Sequence, residues 1–464
     1  MAKFRLQASI GLALFAALYL AAAPAAQADL RDLLPFGRSH RISRLLPVVV
    51  AITIHKVATP NPGEAPSAEP QRTEAFGAGF IIDASGYIGT NKHVIEDALD
   101  ITVTLQDGTA MPARLIGTGS QIDLALLKVT PSKPLPTVKW GDSNHVHVGD
   151  QVLVIGNPLG IGETVSAGIV SALNRNIMLG PYDDFIQTDA AINHGNSGGP
   201  LFDTRGEVIG VNTALITPDA AGGSIGLGFA IPSNDARFVL EQLQRYGRAR
   251  PGWLGALTQD VTPDIADALG LPQPRGIIIA DLDKDSPADR AALQQGDVIL
   301  KFGEQTPRDV RALARLVAQS AGDTVPLAVW RDGREQALSI SVTEKVQEAK
   351  AAPAKPAAVS VPSAPQPPDL GLHTAQLTDE ARTRLRLAAA QAGVVVTGIV
   401  PNTAAADRGI APGDVVLRVQ QWPVSSSAEV QQRLDEARQQ NRRHVLLLVQ
   451  GKDGPRWVAL PLGG

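Results

Sequence analysis

From Val48 to about Pro232 the chain alternates short apolar runs with glycine-marked turns. The runs include VVVAITIH (Val48–His55), GAGFIIDASGYIGTNKHV, DITVTLQDGTAMPARLIG, DLALLKV, DQVLVIGN, VSAGIVSAL, EVIGVNTALI and IGLGFAIP. Runs of this length, rich in β-branched residues and bounded by Gly, Asn and Asp, read as strands. Many short strands with few helical periodicities predict an antiparallel barrel or a sandwich pair. One helix closes the region. In SNDARFVLEQLQRYGR, Ala236, Val239, Leu240, Leu243 and Tyr246 recur at helical spacing, and Ser233 or Asn234 is placed to cap it.

Beyond that helix the pattern repeats itself. DSPADRAALQQGDVILKF (Asp285–Phe302) aligns without gaps on NTAAADRGIAPGDVVLRV (Asn402–Val419). Each copy is followed by a helix, DVRALARLVAQS or AEVQQRLDEARQQ, and then by strands, TVPLAVWRDG or RHVLLLVQGKDG. A glycine-containing strand start, GWLGAL or DLGLHTA, precedes each. Two homologous α+β modules are therefore expected in tandem, at 250–345 and 369–464. The proline-rich stretch 346–368 between them reads as a semi-extended linker. The copies differ at Ala292, where the second has Gly409, so their backbones are expected to differ there.

The N-terminus changes the picture of where the chain resides. MAKFR supplies two positive charges, ASIGLALFAALYLAAA follows as an apolar core, and AQA (Ala26–Ala28) is a small-x-small cleavage site. Residues 1–28 read as a secretory signal peptide, and export points to a bacterial periplasm. Kept uncleaved, the segment is an anchor, although its apolar run is shorter than the roughly 20 residues that span a bilayer. The segment 29–75 holds the first strand and then ATPNPGEAPSAEPQRTEA, which reads as a mobile surface loop. Strands from 76 to 248 complete a domain that begins near residue 40. A 44% apolar and 19% charged composition is globular, and a net charge of −4 gives no electrostatic case for nucleic acid or an anionic membrane. With no cysteine, disulfides, thiol catalysis and cysteine metal sites are excluded. Nothing in the chain requires a metal or an organic cofactor.

Candidate chemistry centres on AINHGNSGGPL (Ala191–Leu201). Its GNSGG matches G-x-S-x-G, but a nucleophile elbow needs its histidine after the serine. Only His373 and His444 follow Ser197, and both lie in the second module. A phosphate loop needs a Lys-Ser/Thr pair after the glycines, which is missing. The stretch alone is compatible with a plain connector. A serine hydroxyl becomes nucleophilic with a base in reach and an acid to orient that base. TNKHV puts His93 at a strand end, and GSQIDLALLKV puts Asp123 at the start of an apolar strand, where a half-buried carboxylate needs a bonding partner. His194 sits on the same tight turn as Ser197 and cannot easily present its ring, so it is read as non-catalytic. His145 and His147 alternate along the chain, and without a third ligand they read as a solvated pair.

GYIGTNKHV, DLALLKV and GNSGGPL, in that order and followed by two repeated modules, resemble the HtrA/Deg family of chymotrypsin-fold serine proteases with PDZ domains, specifically the two-PDZ peptidase Do type. The resemblance runs from about Leu45 to the C-terminus. It implies a mainly β fold, a chymotrypsin-like double β-barrel followed by two α+β PDZ domains, and an ATP-independent endopeptidase for unfolded or damaged exported proteins. On this sequence it makes His93 the general base, Asp123 its orienting acid and Ser197 the nucleophile. The N–H groups of Gly195 and Ser197 would form the oxyanion hole, worth roughly 3–4 kcal/mol per donor in comparable proteases.

In this fold the primary pocket has its floor about six residues before the serine, which is Ala191, with Asn196, Thr213, Ala214, Leu215, Gly226, Leu227 and Gly228 around it. An uncharged floor implies cleavage after small or medium aliphatic residues. Trp253, Leu254, Gly255 and Ala256 would form the nest of the first PDZ domain, which captures the carboxylate of an exposed C-terminal peptide beside the helix that follows Asp309. The second module offers Asp369, Leu370, Gly371 and Leu372, where the acid would weaken carboxylate binding. Homotrimers or assemblies of trimers are implied, with LLPF (Leu33–Phe36) as a candidate contact. The competing class is a chaperone or PDZ scaffold with little proteolytic activity.

Overall fold

The computed structural model describes residues 42–57, 72–157, 162–180, 182–193, 195–215, 223–344, 370–385, 387 and 391–462. The signal peptide, Leu33–Phe36, the loop before Arg72, His194, the linker and Asp369 lie outside the described residues. The chain divides into two compact units, 1–249 and 250–464.

The first unit is built on two seven-stranded sheets. One runs, in spatial order, Ala110–Pro112, Asp100–Thr104, Val49–Val57, Arg72–Asp83, Tyr87–Thr90, Ala125–Lys128 and Arg114–Thr118. The other runs Pro200–Asp203, Gln151–Gly156, Thr164–Arg175, Phe185–Thr188, Gly228–Pro232, Glu207–Leu215 and Lys139–Trp140. In this second sheet Pro200–Asp203 also pairs with Glu207–Leu215, so the first six strands close a ring. Each sheet fills its interior with aliphatic side chains from alternate positions: Ile52, Ile54, Ile81, Ile88, Val103 and Leu127 in one, Val152, Val154, Val170, Ile186, Leu201 and Ile209 in the other. The expected double barrel is the fold observed.

The closing helix spans Ser233–Tyr246 and buries Ala236, Val239, Leu240 and Leu243, the spacing read from the sequence. Its capping differs from the expectation. Pro232 occupies the N-cap without a side-chain bond, and Ser233, already helical, donates its hydroxyl to the Gly141 carbonyl at 2.8 Å. A buried tertiary acceptor has taken the group that a local cap would use.

In the second unit the two repeats form similar antiparallel sheets. The first orders Ala256–Asp260, Ile277–Leu282, Val298–Phe302, Thr324–Arg331 and Arg334–Ser341. The second orders Leu372–Gln376, Val394–Ile399, Val415–Val419, His444–Gly451 and Gly454–Pro461, with Trp422–Pro423 beside the third strand. Each sheet packs one face on its own helix, Val310–Gln319 or Ser427–Gln439. The opposite faces share one apolar layer in which Ile278, Ala280, Val298 and Leu300 meet Val395, Leu417, Leu446, Leu448 and Trp457. Trp457 is 2% exposed, and its indole N–H donates to the Ile279 carbonyl at 2.8 Å. Polar bonds rim this layer: Gln259 exchanges hydrogen bonds of 3.0 Å with the Trp457 main chain, and Asp267 pairs with Arg443 and His444.

The expected divergence at Ala292 is not found. Ala292 (φ 55°) and Gly409 (φ 67°) both adopt the left-handed conformation. The turn geometry is common to the copies, and alanine bears a strain there that glycine does not.

Candidate active site

His93 and Asp123 meet because their strands are neighbours. Tyr87–Thr90 pairs antiparallel with Ala125–Lys128, with Thr90 opposite Ala125, so the residues just beyond Thr90 and just before Ala125 lie at the same end. Leu124 is fully buried and pins the acid's chain. His93 Nδ1 lies 2.5 Å from Asp123 Oδ2, and the His93 main-chain N–H donates to Asp123 Oδ1 at 2.9 Å. The second bond fixes the carboxylate plane independently of the ring. A carboxylate facing Nδ1 keeps the proton there and leaves Nε2 with its lone pair. The ring is 43% exposed and the carboxylate 29%, so the pair opens toward solvent on one side.

Ser197 sits in a loop of consecutive tight turns. Gly195 (φ 100°) and Gly198 (φ 83°) adopt conformations that other residues avoid. The Asn196 N–H donates to Asn193 O and the Gly199 N–H to Asn196 O, both at 3.0 Å. Across the unit, the Ala78 N–H donates to Ser197 O at 2.9 Å, while the Ala78 carbonyl accepts the Thr90 hydroxyl at 2.8 Å. One residue of the first sheet thus holds both the serine loop and the strand end that carries His93. The approach is close enough that a Cβ on Gly198 would lie 2.2 Å from Thr90 Oγ1 and 3.0 Å from the Asn91 nitrogen. Among the described residues neither the Gly195 nor the Ser197 N–H is taken by an acceptor, and the Ser197 hydroxyl makes no hydrogen bond to His93. Catalytic hydrogen bonds often tighten only when substrate binds.

The expected pocket residues fall into distinct environments. Ala191 is exposed, and its carbonyl accepts the Ser166 hydroxyl at 2.8 Å and the Asn196 amide at 3.2 Å. Beside it Ile192, which the sequence reading did not single out, is fully buried, and a Cβ on Gly228 would lie 2.7 Å from its Cδ1. Gly226 has φ 83°, Ala214 and Leu227 are half-buried, and the Leu215 side chain is outside the described residues. Thr213 is buried, and its hydroxyl faces Asn91. Asn91 was quoted within TNKHV without a role. Its partner is far away in sequence, so no local signal pointed to it.

Elsewhere in this unit, His145 pairs with Asp142 at 2.9 Å and His147 lies 3.9 Å from Asp150. No grouping that could hold a metal ion occurs among the described residues.

In the second unit, Ala256–Asp260 ends its sheet with one edge unpaired among the described residues and runs beside the helix Val310–Gln319. The preceding turn has Gly255 at φ 75°, where a Cβ would lie 2.1 Å from Ser286 Cβ. Its carbonyls are turned inward: Leu254 O accepts the Ala288 N–H and Gly255 O the Asp283 N–H, both at 2.9 Å. Trp253 pairs with Thr343 in a short two-stranded sheet. Asp309 caps the helix through the Ala312 N–H at 2.7 Å. Burial works against its charge, but this bond and the Arg311 guanidinium outweigh it and hold its carboxyl below the usual value of 3.8. In the second module the Thr374 and Ser427 hydroxyls lie 2.9 Å apart, joining the edge strand to the first helical residue.

Comparison with known proteins identifies both units. The Trypsin-like peptidase domain family matches residues 77–211, and the PDZ domain family matches 244–342 and 368–453. A "Probable periplasmic serine endoprotease DegP-like" of Brucella suis biovar 1 (strain 1330) is 42% identical over 419 residues, covering 88% of this chain and 76% of the relative. A protein of the same description from Bartonella henselae is 42% identical over 393 residues, covering 84% and 75%. Among solved structures, "HtrA-type protease AlgW with decapeptide" is similar at a TM-score of 0.55 and 39% identity, covering 67% of this chain and 99% of that one. The same protease with tripeptide gives a TM-score of 0.56 at 39% identity, covering 67% and 98%.

Proposed function

The chain belongs to the DegP-like, HtrA-type family of serine endoproteases, and from that premise we propose that it cleaves unfolded exported polypeptides through His93, Asp123 and Ser197. Ser197 Oγ attacks the scissile carbonyl while His93 Nε2 takes its proton, and Asp123 stabilises the imidazolium that forms. The N–H groups of Gly195 and Ser197 receive the oxyanion. Collapse expels the amine, protonated by His93, and leaves an acyl-enzyme that water hydrolyses by the same steps in reverse. Peptide hydrolysis is downhill in water, so the proposed reaction requires no ATP for its driving force. The observation that carries this reading is the pair of hydrogen bonds between His93 and Asp123, with the serine loop fixed to the same strand end through Ala78.

Cleavage is proposed after small or medium aliphatic residues such as Val, Ala or Ile. Buried Ile192 against Gly228, with Ala191, Asn196, Thr213, Ala214, Leu215, Gly226 and Leu227 around them, supports this because none of these residues carries a charge that would pair with a buried cation. The unpaired edge of Ala256–Asp260, with Trp253–Ala256 as the carboxylate nest, is proposed to take exposed C-terminal peptides by strand addition. Peptide complexes of the related AlgW protease support this. Residence in the periplasm follows the relatives' description and the signal-like leader, and a homotrimer or an assembly of trimers is the proposed working form. The module boundaries proposed are those read from the sequence: a protease domain of about 40–248, and PDZ domains at 250–345 and 369–464. Incubating unfolded casein with the protein and with Ser197→Ala tests the reading. Degradation by the first alone supports it, equal degradation by both refutes it, and none by either favours a scaffold that only holds its clients.

A further inference from the structure

Behind the triad, a string of buried polar groups joins the acid to the serine loop. Asn91, two residues before His93, is fully buried. Its Nδ2 donates to the Asp123 main-chain carbonyl at 2.6 Å and to the Thr213 hydroxyl at 3.0 Å. That hydroxyl donates its own proton to Val211 O at 2.9 Å, so only its lone pairs face Asn91. The next residue, Asn212, is also fully buried and clamps the chain just past the nucleophile. Its Nδ2 donates to the Gly199 and Pro200 carbonyls at 3.0 Å, its N–H donates to Gly199 O at 2.9 Å, and its carbonyl accepts the Gly198 N–H at 2.8 Å. Asp123 and Ser197 come from different sheets, and this path links them through the interior.

The arrangement has a cost that packing alone would avoid. The side-chain oxygens of Asn91 and Asn212 are buried without a hydrogen-bond partner. An orphaned buried acceptor is unfavourable, and an apolar side chain in either place would not carry one. What Asn91 supplies is two N–H bonds aimed at two different sheets.

We propose that Asn91 is a positioning residue for the triad, tying Asp123 to Thr213 and thereby to the serine loop, so that His93 Nε2 stays aimed at Ser197 Oγ. The inference rests on the triad reading above. The tie acts behind the catalytic groups: although Thr213 lies beside the proposed pocket, its hydroxyl is engaged by Asn91 and by the Val211 carbonyl. Its loss would let the acid and its histidine drift relative to the nucleophile, and misplacement of about 1 Å can cost about 10²-fold in rate.

The experiment uses the full chain and compares Asn91→Ala, Thr213→Val, Thr213→Ser, the double Asn91→Ala/Thr213→Val and Ser197→Ala. A fluorogenic peptide gives kcat and KM, normalised to sites titrated to completion with a fluorophosphonate, and kcat/KM is followed against pH. Asn91→Ala and Thr213→Val should each lower kcat about 10- to 100-fold, with KM changed by less than about threefold. The acid limb of the pH profile should move, because the acid–imidazole pair is no longer held. The double variant should be no slower than the worse single one, and Thr213→Ser should recover most of what Thr213→Val loses. Should Asn91→Ala fail to fold, the contrast between the two Thr213 variants carries the test. Either of two results overturns the proposal: kcat per titrated site within twofold of the parent in Asn91→Ala, or losses that multiply in the double variant. Full activity in Ser197→Ala would instead overturn the triad reading itself.

Discussion

Replacing Asp123 with asparagine exchanges one oxygen for an NH2 and should remove the chemistry while sparing the fold. The two carboxylate oxygens have separate tasks: Oδ1 accepts the His93 main-chain N–H at 2.9 Å, and Oδ2 faces Nδ1 at 2.5 Å. In Asp123→Asn the main-chain donor, fixed by the backbone, claims the remaining oxygen. The NH2 then falls where Oδ2 stood, against Nδ1. Two donors cannot share that contact, so the ring adopts the tautomer protonated at Nε2 and loses the lone pair that would receive the Ser197 proton. The corresponding change in the serine-protease template lowers kcat by about 10⁴-fold. At about 1.36 kcal/mol per decade this is about 5.5 kcal/mol of transition-state stabilisation. The stability change should stay under about 1 kcal/mol, because the pair is partly solvated and the main-chain bond survives. Steady-state cleavage of unfolded casein at neutral pH, with a thermal melt of the same sample, measures both quantities. A kcat within about tenfold of the parent would refute the tautomer argument, and a melt lowered by many degrees would make the loss structural.

Three further outcomes follow from the second unit. Ala292→Gly relieves a left-handed alanine that costs about 1–2 kcal/mol, set against about 0.4–1 kcal/mol for the greater freedom of an unfolded glycine. A higher denaturant midpoint is expected, and a lower one contradicts the strain argument. Asp309 has its folded pKa lowered, so its stabilising contribution is full above the unfolded value of 3.8 and disappears as pH falls through the folded one. Asp309→Asn keeps the cap without the charge, so the stability gap between parent and variant should shrink as pH falls through 3.8 and below, and a constant gap would contradict this. Trp457→Ala empties the layer shared by the two modules at a cost of about 3–5 kcal/mol. Calorimetry should show the transition of the 250–464 unit falling, and a shift worth less than about 1 kcal/mol would mean that the layer contributes little.

Much of the fold was legible because each strand carried its own signal: β-branched runs between glycines, and a repeat that aligned without gaps. His93, Asp123 and Ser197 were singled out as candidates by their order along the chain, a constraint on chemistry that survives translation into one dimension, and the roles proposed for them came from the family resemblance. What escaped was non-local. Asn91 bonds Thr213 across 122 residues, and nothing near TNKHV announces that partner. Ser233 was read as a cap because local competition is all that a sequence displays, yet Gly141 O claimed its hydroxyl. At Ala292 the residue type suggested a different turn, but the surrounding structure holds the turn in place, with Arg331 bonded to the Ala292 carbonyl at 2.8 Å. The layer between the PDZ modules did leave a trace. HVLLLVQG is apolar without alternation, the mark of a strand buried on both faces, and in the structure Val445 through Val449 are all buried.

The central claim, that Ser197 is a nucleophile activated by His93, is tested most directly by treating the full chain with a fluorophosphonate and locating the adduct by mass spectrometry. The account predicts a single adduct on Ser197, formed far more slowly in His93→Ala. An adduct on another residue, or labelling of Ser197 at an undiminished rate without the histidine, would contradict it.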